Sequence, residues 1–235
     1  MRYKRILLKL SGEALMGNES HGINGNIVRD ITGQIGEIRG LGAEVAIVLG
    51  GGNIYRGRQG EKEGVDRVRG DHAGMLATAI NALMLQDALE KAGIPAIVQT
   101  ALAIERIGEP YNQAKAVEHL RAGRVLIFAC GTGNPYFTTD TAAALRAAEI
   151  GAGIVMKATK VDGVYDRDPE VHTDAVFYPE ISYAEVLAKG LGVMDLTAIT
   201  LCKENDIPVA VFNLFAPGNL KKVVLGEKVG TIVRR

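Results

Sequence analysis

The fold of this chain is decided by the stretch Val125-Leu126-Ile127-Phe128-Ala129-Cys130-Gly131-Thr132-Gly133-Asn134-Pro135-Tyr136-Phe137-Thr138-Thr139-Asp140. An apolar strand leads into a glycine-rich turn, and a helical run, residues 141–146, follows directly. Backbone N–H groups and the positive end of the helix dipole favour an anion at such a helix start. Threonine hydroxyls in the turn suit phosphate oxygens. The stretch therefore predicts a phosphate site, with Asp140 just inside the helix, where it can orient a lysine or hold a metal ion.

Short apolar runs and helical patterns alternate outward from this stretch along the whole chain. The runs predict strands at Lys4–Leu10, Val45–Leu49, Ala96–Gln99, Val125–Ala129, Ile154–Lys157, Pro208–Phe212 and Gly230–Val233. Helical spacing predicts helices at Asn26–Leu41, Asp71–Ala92, Gln113–Ala122, Tyr183–Lys189, Met194–Asn205 and Asn219–Leu225. Ser11–Asn24 and Ala158–Ala175 are predicted to be irregular. The alternation predicts a three-layer α/β/α sandwich with a central, mostly parallel sheet.

Composition limits the classes of function. The 235 residues fit one α/β domain, with a division near Ala129–Gly131 between two lobes that share one sheet. Lys+Arg 27 balance Asp+Glu 27, so no global field draws the chain to nucleic acid or to an anionic membrane. Two cysteines and four histidines show no metal-binding spacing, and no apolar run approaches a membrane span. We expect a cytoplasmic protein with reduced thiols.

Three loops follow predicted strands directly, and together they favour a phosphate ligand. They are Leu10-Ser11-Gly12-Glu13, Gly50-Gly51-Gly52-Asn53 and the Gly131–Asp140 segment. Strand ends of a parallel sheet meet at one edge, where such loops can present backbone N–H groups. Lys9 precedes the first loop inside an apolar strand, which is costly unless the lysine meets an anion. The alternative is an edge-strand lysine that reaches water.

Other polar positions allow two interpretations each. Arg56 follows the glycine triple and suits a phosphate clamp, or a plain surface charge. Asp71 precedes a long helical pattern, where it either caps the helix or accepts bonds from ribose hydroxyls. Residues 157–169 follow a strand and form either a solvated hairpin or a site for a nucleotide base and ribose. The sequence contains no Walker A motif and no Ser–His–Asp or Cys–His grouping.

Six stretches in chain order resemble one known family. They are Lys9-Leu10-Ser11-Gly12-Glu13-Ala14-Leu15, Gly50-Gly51-Gly52-Asn53, Gly70-Asp71-His72, Gly131–Asp140, Lys157–Asp168 and Gly226-Glu227-Lys228-Val229-Gly230-Thr231. Together they resemble the bacterial uridylate kinases, of the amino acid kinase fold, over essentially the whole chain. The Lys-Leu-Ser-Gly and triple-glycine elements also occur in carbamate, acetylglutamate and aspartate kinases, so they identify only the wider fold.

The resemblance implies transfer of the γ-phosphoryl group from ATP to UMP with Mg²⁺, giving ADP and UDP for pyrimidine nucleotide biosynthesis. It implies a single amino acid kinase domain over residues 1–235, with an acceptor-side lobe at 1–130 and a nucleotide-side lobe at 131–235. The implied catalytic residues are Lys9, as the main transition-state cation, and Asp140, which organises the lysine or the metal. No protein ligand to a metal ion is assigned.

The resemblance also carries two sets of binding positions onto this chain. Those implied for ATP are Lys9, Leu10, Ser11, Gly12, Gly52, Arg56, Thr159, Tyr165 and Asp168. Those implied for UMP are Gly51, Asp71, Thr132, Gly133, Asn134, Pro135, Tyr136, Phe137, Thr138 and Thr139.

Regulation and assembly follow from the resemblance alone. Family members are usually homohexamers that GTP activates and UTP inhibits. The segment Gly17-Asn18-Glu19-Ser20-His21-Gly22 occupies the place linked to GTP activation. In enterobacterial members a nearby helix carries an arginine and a histidine toward the effector, whereas residues 85–90 here read Leu-Gln-Asp-Ala-Leu-Glu.

Two alternative functions stay open at the level of the sequence. One is another kinase of the same fold, acting on carbamate, an amino acid such as acetylglutamate, or an isoprenoid phosphate. The long, hydroxyl-rich and aromatic Gly131–Asp140 loop favours a nucleotide acceptor over these. The other is a nucleotide-binding storage or regulatory protein without turnover, as in the molybdenum storage proteins. Retention of both Lys9 and Asp140 argues against it.

Overall fold

The computed structural model describes residues 1–55 and 64–235. The first half contains β1 (Arg5–Leu10), α1 (Gly12–Met16), α2 (Gly25–Gly40), β2 (Glu44–Leu49), α3 (Arg67–Lys91), β3 (Ala96–Thr100), β4 (Glu109–Pro110), α4 (Gln113–Arg121) and β5 (Val125–Ala129). The second half contains α5 (Thr139–Ile150), β6 (Val155–Thr159), β7 (Val164–Tyr165), β8 (Phe177–Tyr178), β9 (Glu180–Ser182), α6 (Tyr183–Lys189), α7 (Leu196–Glu204), β10 (Val209–Asn213), α8 (Asn219–Leu225) and β11 (Thr231–Arg234).

One sheet joins both halves of the chain. Among the described residues it has nine strands in the order β4-β3-β5-β2-β1-β6-β10-β11-β9. Neighbouring strands are parallel except β10 and β11, which are antiparallel. The central strand β1 pairs with β2 on one side and with β6 on the other. The sheet is therefore built outward from β1 in both directions. In α/β sheets, ligands bind in the crevice at the carboxyl ends of the strands beside such a switch point.

Apolar side chains cover both faces of the sheet. On one face the core includes Ile35 of α2, Leu85 of α3 and Leu220 of α8. On the other it includes Ala143 of α5 and Ile199 of α7. All five are almost completely buried, and burial of apolar area is the main force that holds the three layers together. The predicted three-layer α/β/α class with a mostly parallel sheet is confirmed.

Three local predictions were wrong. The segment expected to be a loop after β1 contains the short helix α1, whose N-cap Ser11 accepts a hydrogen bond from the backbone N–H of Ala14. The long helix α3 begins at Arg67 rather than Asp71, because Asp66 caps it by accepting from the N–H of Arg69. The expected irregular segment after β6 contains β7, which pairs antiparallel with β8.

Among residues 1–55 and 64–235, no helix combines the length and apolar character needed to cross a bilayer.

Candidate functional site

Two lysines lie side by side on the central strands. Lys9 of β1 and Lys157 of β6 are register partners, each near the carboxyl end of its strand. Lys9 is only 7% exposed. Because β1 is the middle of the sheet, the alternative of an edge-strand lysine that reaches water is excluded. Two ammonium groups at one strand end are stable only with a partner anion.

Asp140 supplies that anion from the first turn of α5. Its Oδ1 lies 2.6 Å from the Nζ of Lys9, and its Oδ2 lies 2.9 Å from the Nζ of Lys157. Burial alone would raise the pKa of Asp140, but the two ammonium groups outweigh it and hold the pKa below its ordinary value. Burial lowers the pKa of Lys157, and Asp140 partly offsets that effect. Two cations facing one carboxylate leave a local excess of positive charge for an anionic ligand.

The start of α5 is fixed from both sides. The hydroxyl oxygen of its N-cap Thr138 accepts from the backbone N–H groups of Asp140 and Thr141. The hydroxyls of Thr138 and Thr141 in turn donate to the carboxylate of Asp195. Asp195 also caps α7 by accepting from the N–H of Ala198. One carboxylate thus holds two helix starts together and keeps Asp140 in place between the lysines.

The glycine loops after β1 and β2 approach each other closely. A Cβ added to Gly12 would lie 2.4 Å from Oδ1 of Asn53 and 2.7 Å from the backbone nitrogen of Gly52. A Cβ on Gly50 would lie 2.8 Å from the backbone nitrogen of Gly12. A side chain at either position would force the two loops apart, so the absent Cβ atoms are what allow the two loop backbones to meet.

A cavity of about 160 Å³ opens beside these loops. Seven of the predicted ligand residues line it, namely Gly51, Gly52, Asp71, Thr132, Phe137, Thr138 and Thr139. Gly133, Asn134, Pro135 and Tyr136 belong to the same loop but do not line it. Gly52 was predicted at the donor phosphate, and it lies in this cavity beside Gly51.

Asp71 lies inside α3 rather than at its start, so its interpretation as an N-cap was wrong. Its carboxylate accepts from the backbone N–H of Tyr136 at 2.7 Å and from Arg67 at 2.9 Å. Arg67 also lies over the ring of Tyr136, 5.3 Å from its centroid. Asp71 therefore ties the predicted acceptor loop to α3, and its carboxylate faces the cavity.

A second cavity, of about 370 Å³, lies beyond β6. It is lined by Lys157 and by three residues predicted to bind ATP, which are Thr159, Tyr165 and Asp168. The ring of Tyr165 packs against Phe177 at 5.3 Å between centroids, across the β7–β8 hairpin. The segment after β6 thus lines a cavity, and its strand β7 pairs with β8, which lies outside residues 157–169. The binding of a nucleotide base and ribose here stays a prediction.

The lysine–aspartate cluster lies between the two cavities. Thr139 lines the first cavity, its neighbour Asp140 contacts Lys157, and Lys157 lines the second. Lys9, Leu10, Ser11 and Gly12 line neither cavity, and the side chain of Leu10 belongs to the apolar core.

Two predictions fall elsewhere. Arg56 lies outside the described residues. The segment Gly17–Gly22 forms an exposed turn after α1, and its role in GTP activation stays a prediction.

Two residues of the site were not predicted from the sequence as site residues. They are Lys157, which pairs with Asp140, and Asp195, which holds the start of α5. Lys157 carried the same signal as Lys9, a lysine inside an apolar strand, but its pairing with β1 depends on strand order. Asp195 fell inside the helix predicted at Met194–Asn205, whereas the structure makes it the N-cap of α7, and no local pattern shows that it reaches α5.

Comparison with known proteins identifies the family of this fold. The model of the amino acid kinase family matches residues 4–213.

The chain belongs to the amino acid kinase family.

Solved structures within this family are close to it. A UMP kinase from Bacillus anthracis has a TM-score of 0.96 and 38% identity, covering 100% of this chain and 97% of its own. A UMP kinase from Ureaplasma parvum has a TM-score of 0.93 and 40% identity, with 100% of both chains covered. A uridylate kinase from Archaeoglobus fulgidus has a TM-score of 0.76 and 31% identity, covering 97% of this chain and 99% of its own. The resemblance to uridylate kinases and the prediction of a kinase are confirmed.

Proposed function

We propose that this amino acid kinase transfers the γ-phosphoryl group of ATP to the phosphate of UMP, giving ADP and UDP. The observation that carries the proposal is the position of the Lys9–Asp140–Lys157 cluster between two cavities. A phosphoryl group that passes from a donor in one cavity to an acceptor in the other meets two ammonium groups on its path. The similarity to UMP kinases supports UMP as the acceptor.

The chemistry asks mainly for positioning and charge neutralisation. An oxygen of the UMP phosphate forms a bond to the γ-phosphorus while the bond from that phosphorus to the β–γ bridging oxygen breaks, and ADP leaves with the electron pair. Negative charge lies on the equatorial oxygens of the moving group, where the ammonium groups of Lys9 and Lys157 stabilise it. Asp140 holds both lysines in place. The acceptor phosphate is already an anion near neutral pH, so no strong general base is required.

The first cavity is proposed to hold UMP. The hydroxyl of Thr139 and the start of α5 suit the acceptor phosphate. Because α5 has 12 residues and begins at Thr139, its positive dipole end faces the same place as the lysines. Asp71 is proposed to accept hydrogen bonds from the ribose hydroxyls. The exposed ring of Phe137 is available to contact the base.

The second cavity is proposed to hold ATP. Thr159, Tyr165 and Asp168 offer a hydroxyl, a ring and a carboxylate to the base and ribose. The triphosphate then extends toward Lys157, Lys9 and the loops at Gly12 and Gly52.

Mg²⁺ is proposed to enter with ATP. Among the described residues no three His, Cys, Asp or Glu side chains group in a way that could hold a metal ion. Both oxygens of Asp140 already face lysines. The donor set fits a Mg²⁺ bound by phosphate oxygens and water, as is common for nucleotide-bound magnesium. EDTA should therefore abolish ADP formation while leaving the melting temperature of the nucleotide-free protein unchanged.

The test of the proposed function is ADP release coupled to a detector, with ATP, Mg²⁺ and one acceptor at a time. The acceptors are UMP, CMP, dUMP, carbamate and acetylglutamate. We expect turnover with UMP far above that with carbamate or acetylglutamate. Turnover with one of those two instead would identify another kinase of this fold. ATP binding without turnover on any acceptor would favour the storage or regulatory alternative.

Assembly, effectors and cellular setting are proposed from the resemblance. A homohexamer activated by GTP, inhibited by UTP and serving pyrimidine nucleotide biosynthesis in the cytoplasm stays a prediction. Light scattering, and the same ADP assay with added GTP or UTP, test the assembly and the effectors.

A further inference from the structure

Two buried asparagines form a closed polar pair beneath the glycine loop after β2. Asn53 is 3% exposed and Asn81 of α3 is completely buried. Their side-chain amides form two hydrogen bonds with each other. Nδ2 of Asn53 donates to Oδ1 of Asn81 at 3.0 Å, and Nδ2 of Asn81 donates to Oδ1 of Asn53 at 2.7 Å. Buried amides are costly unless their donors and acceptors are satisfied, so a pair of this kind needs a reason in the structure around it.

The second donor on each amide holds a piece of backbone. Nδ2 of Asn81 donates to the carbonyl of Gly50 at 2.7 Å. Nδ2 of Asn53 donates to the carbonyl of Gly22 at 2.8 Å, and the N–H of Gly22 donates back to the carbonyl of Asn53 at 2.8 Å. The pair thus uses all four amide hydrogens and links α3, the loop after β2 and the end of the turn after α1.

The same pair fixes the spacing between the two glycine loops. Oδ1 of Asn53 lies 2.4 Å from the position that a Cβ of Gly12 would occupy, so it leaves no room for a side chain there. On its other side Gly51 is held against α3, because a Cβ there would lie 2.8 Å from the carbonyl oxygen of Gly74. Gly50 is tied to β1 by its own N–H, which donates to the carbonyl of Leu10 at 2.8 Å. The asparagine pair adds a second restraint through the carbonyl of Gly50 and the contact of Asn53 with Gly12, whereas Gly51 packs directly against α3.

We infer that Asn53 and Asn81 are positioning residues for phosphoryl transfer, and this rests on the proposed function. Neither lines the first or the second cavity as far as the described residues define them, so they act through the Gly50–Gly52 loop. An apolar residue at position 81 would fill the same space but leave the carbonyl of Gly50 and the side-chain amide of Asn53 to find other partners. The amides hold the loop at the distance from β1 that the donor phosphates require, and transition-state stabilisation depends steeply on such distances.

The test uses Asn81→Ser and Asn53→Ser, each of which replaces one side-chain amide with a shorter hydroxyl. Leu89→Ala is the matched control, because Leu89 is fully buried on the same helix, in the apolar core, and belongs to neither cavity. Melting temperatures are measured first, and kinetics are then run at a temperature where all variants are folded. The quantities compared are kcat, the KM for UMP and the dissociation constant for ATP measured by titration.

We expect each asparagine variant to lose at least tenfold in kcat and to bind ATP at least fivefold more weakly. The KM for UMP should stay within threefold, because Gly51 packs against α3 and most residues that line the first cavity lie outside the Gly50–Gly52 loop. Leu89→Ala should lower the melting temperature and change none of these three quantities by more than twofold. Asparagine variants that match Leu89→Ala in kcat and in ATP affinity would overturn the inference.

Failure of the proposed function would appear separately, as wild-type protein that releases no ADP with UMP. The ATP dissociation constants still decide the role of the pair in that case. Unchanged ATP affinity in both asparagine variants would refute it, and a fivefold loss in both with none in Leu89→Ala would support it.

Discussion

The ammonium group of Lys9 lies 2.6 Å from the carboxylate of Asp140, although the two residues come from the first strand and the fifth helix. Both side chains are largely buried. Asp140 also meets Lys157, so this one carboxylate sets the direction of two cations. The pair is therefore both a structural contact and the centre of the proposed reaction.

Lys9→Met should lower kcat by about 100- to 1000-fold, the usual loss when a group that stabilises transition-state charge is removed. Methionine keeps most of the side-chain volume, so the fold should survive. Lys4→Met is the control, since Lys4 precedes the same strand and its side chain is 78% exposed. Near-normal turnover in Lys9→Met, measured by ADP release, would remove Lys9 from its proposed role.

Asp71→Asn should weaken UMP binding about tenfold and ATP binding much less. The carboxylate lines the first cavity and accepts charge-assisted hydrogen bonds, which are stronger than neutral ones. Asp66→Ala is the matched control, because it removes the N-cap of the same helix and should cost about 1 kcal/mol of stability. Titrations with UMP and with ATP measure the outcome. Equal losses for both nucleotides would count against an acceptor role for Asp71.

Acid should remove the stabilising effect of Asp140. Its pKa in the folded state lies below the ordinary aspartate value of 3.8. A depressed folded pKa contributes stability that is present above the unfolded pKa and is lost as pH falls through the folded pKa. Asp140→Asn leaves two lysines without their anion, which should cost about 3–5 kcal/mol at pH 7.

The gap in melting temperature between wild type and Asp140→Asn should therefore start to narrow as pH falls below the ordinary aspartate pKa of 3.8, where the unfolded wild-type chain takes up a proton that the folded protein does not, and it should go on narrowing down to the lower pKa of the folded state. Thermal unfolding from pH 7 to pH 3 measures it. A gap that stays constant over this range would mean that the charge of Asp140 contributes nothing to folding.

Gly12→Ala and Gly33→Ala should change stability in opposite directions. The first places a Cβ 2.4 Å from Oδ1 of Asn53 and should cost about 1–3 kcal/mol with a loss of activity. The second lies inside α2 with open space around it, so alanine should stabilise by about 0.4–1 kcal/mol. Denaturant unfolding and ADP release check both. A harmless Gly12→Ala would show that the loops after β1 and β2 need not touch.

Much of the fold was predictable because its signals are local. Helix α8 was predicted with the bounds that the structure gives, and strand β5 likewise, because apolar periodicity and flanking glycines are properties of short stretches. The start of α3 was misplaced because Asp66 and Asp71 are both of a residue type that caps helices, and the structure uses Asp66. Helix α1 was missed because five residues give no periodicity to read.

The sequence by itself determined the layer architecture, the loops at the strand ends and the presence of Lys9 and Asp140 as unusual polar residues. Only the tertiary structure decided which of these groups meet. Strand order places Lys157 beside Lys9, and helix packing brings Asp195 to the start of α5. Local pattern fixes the type of an element, whereas contacts between distant residues depend on register and packing, which are set by the free energy of the whole core.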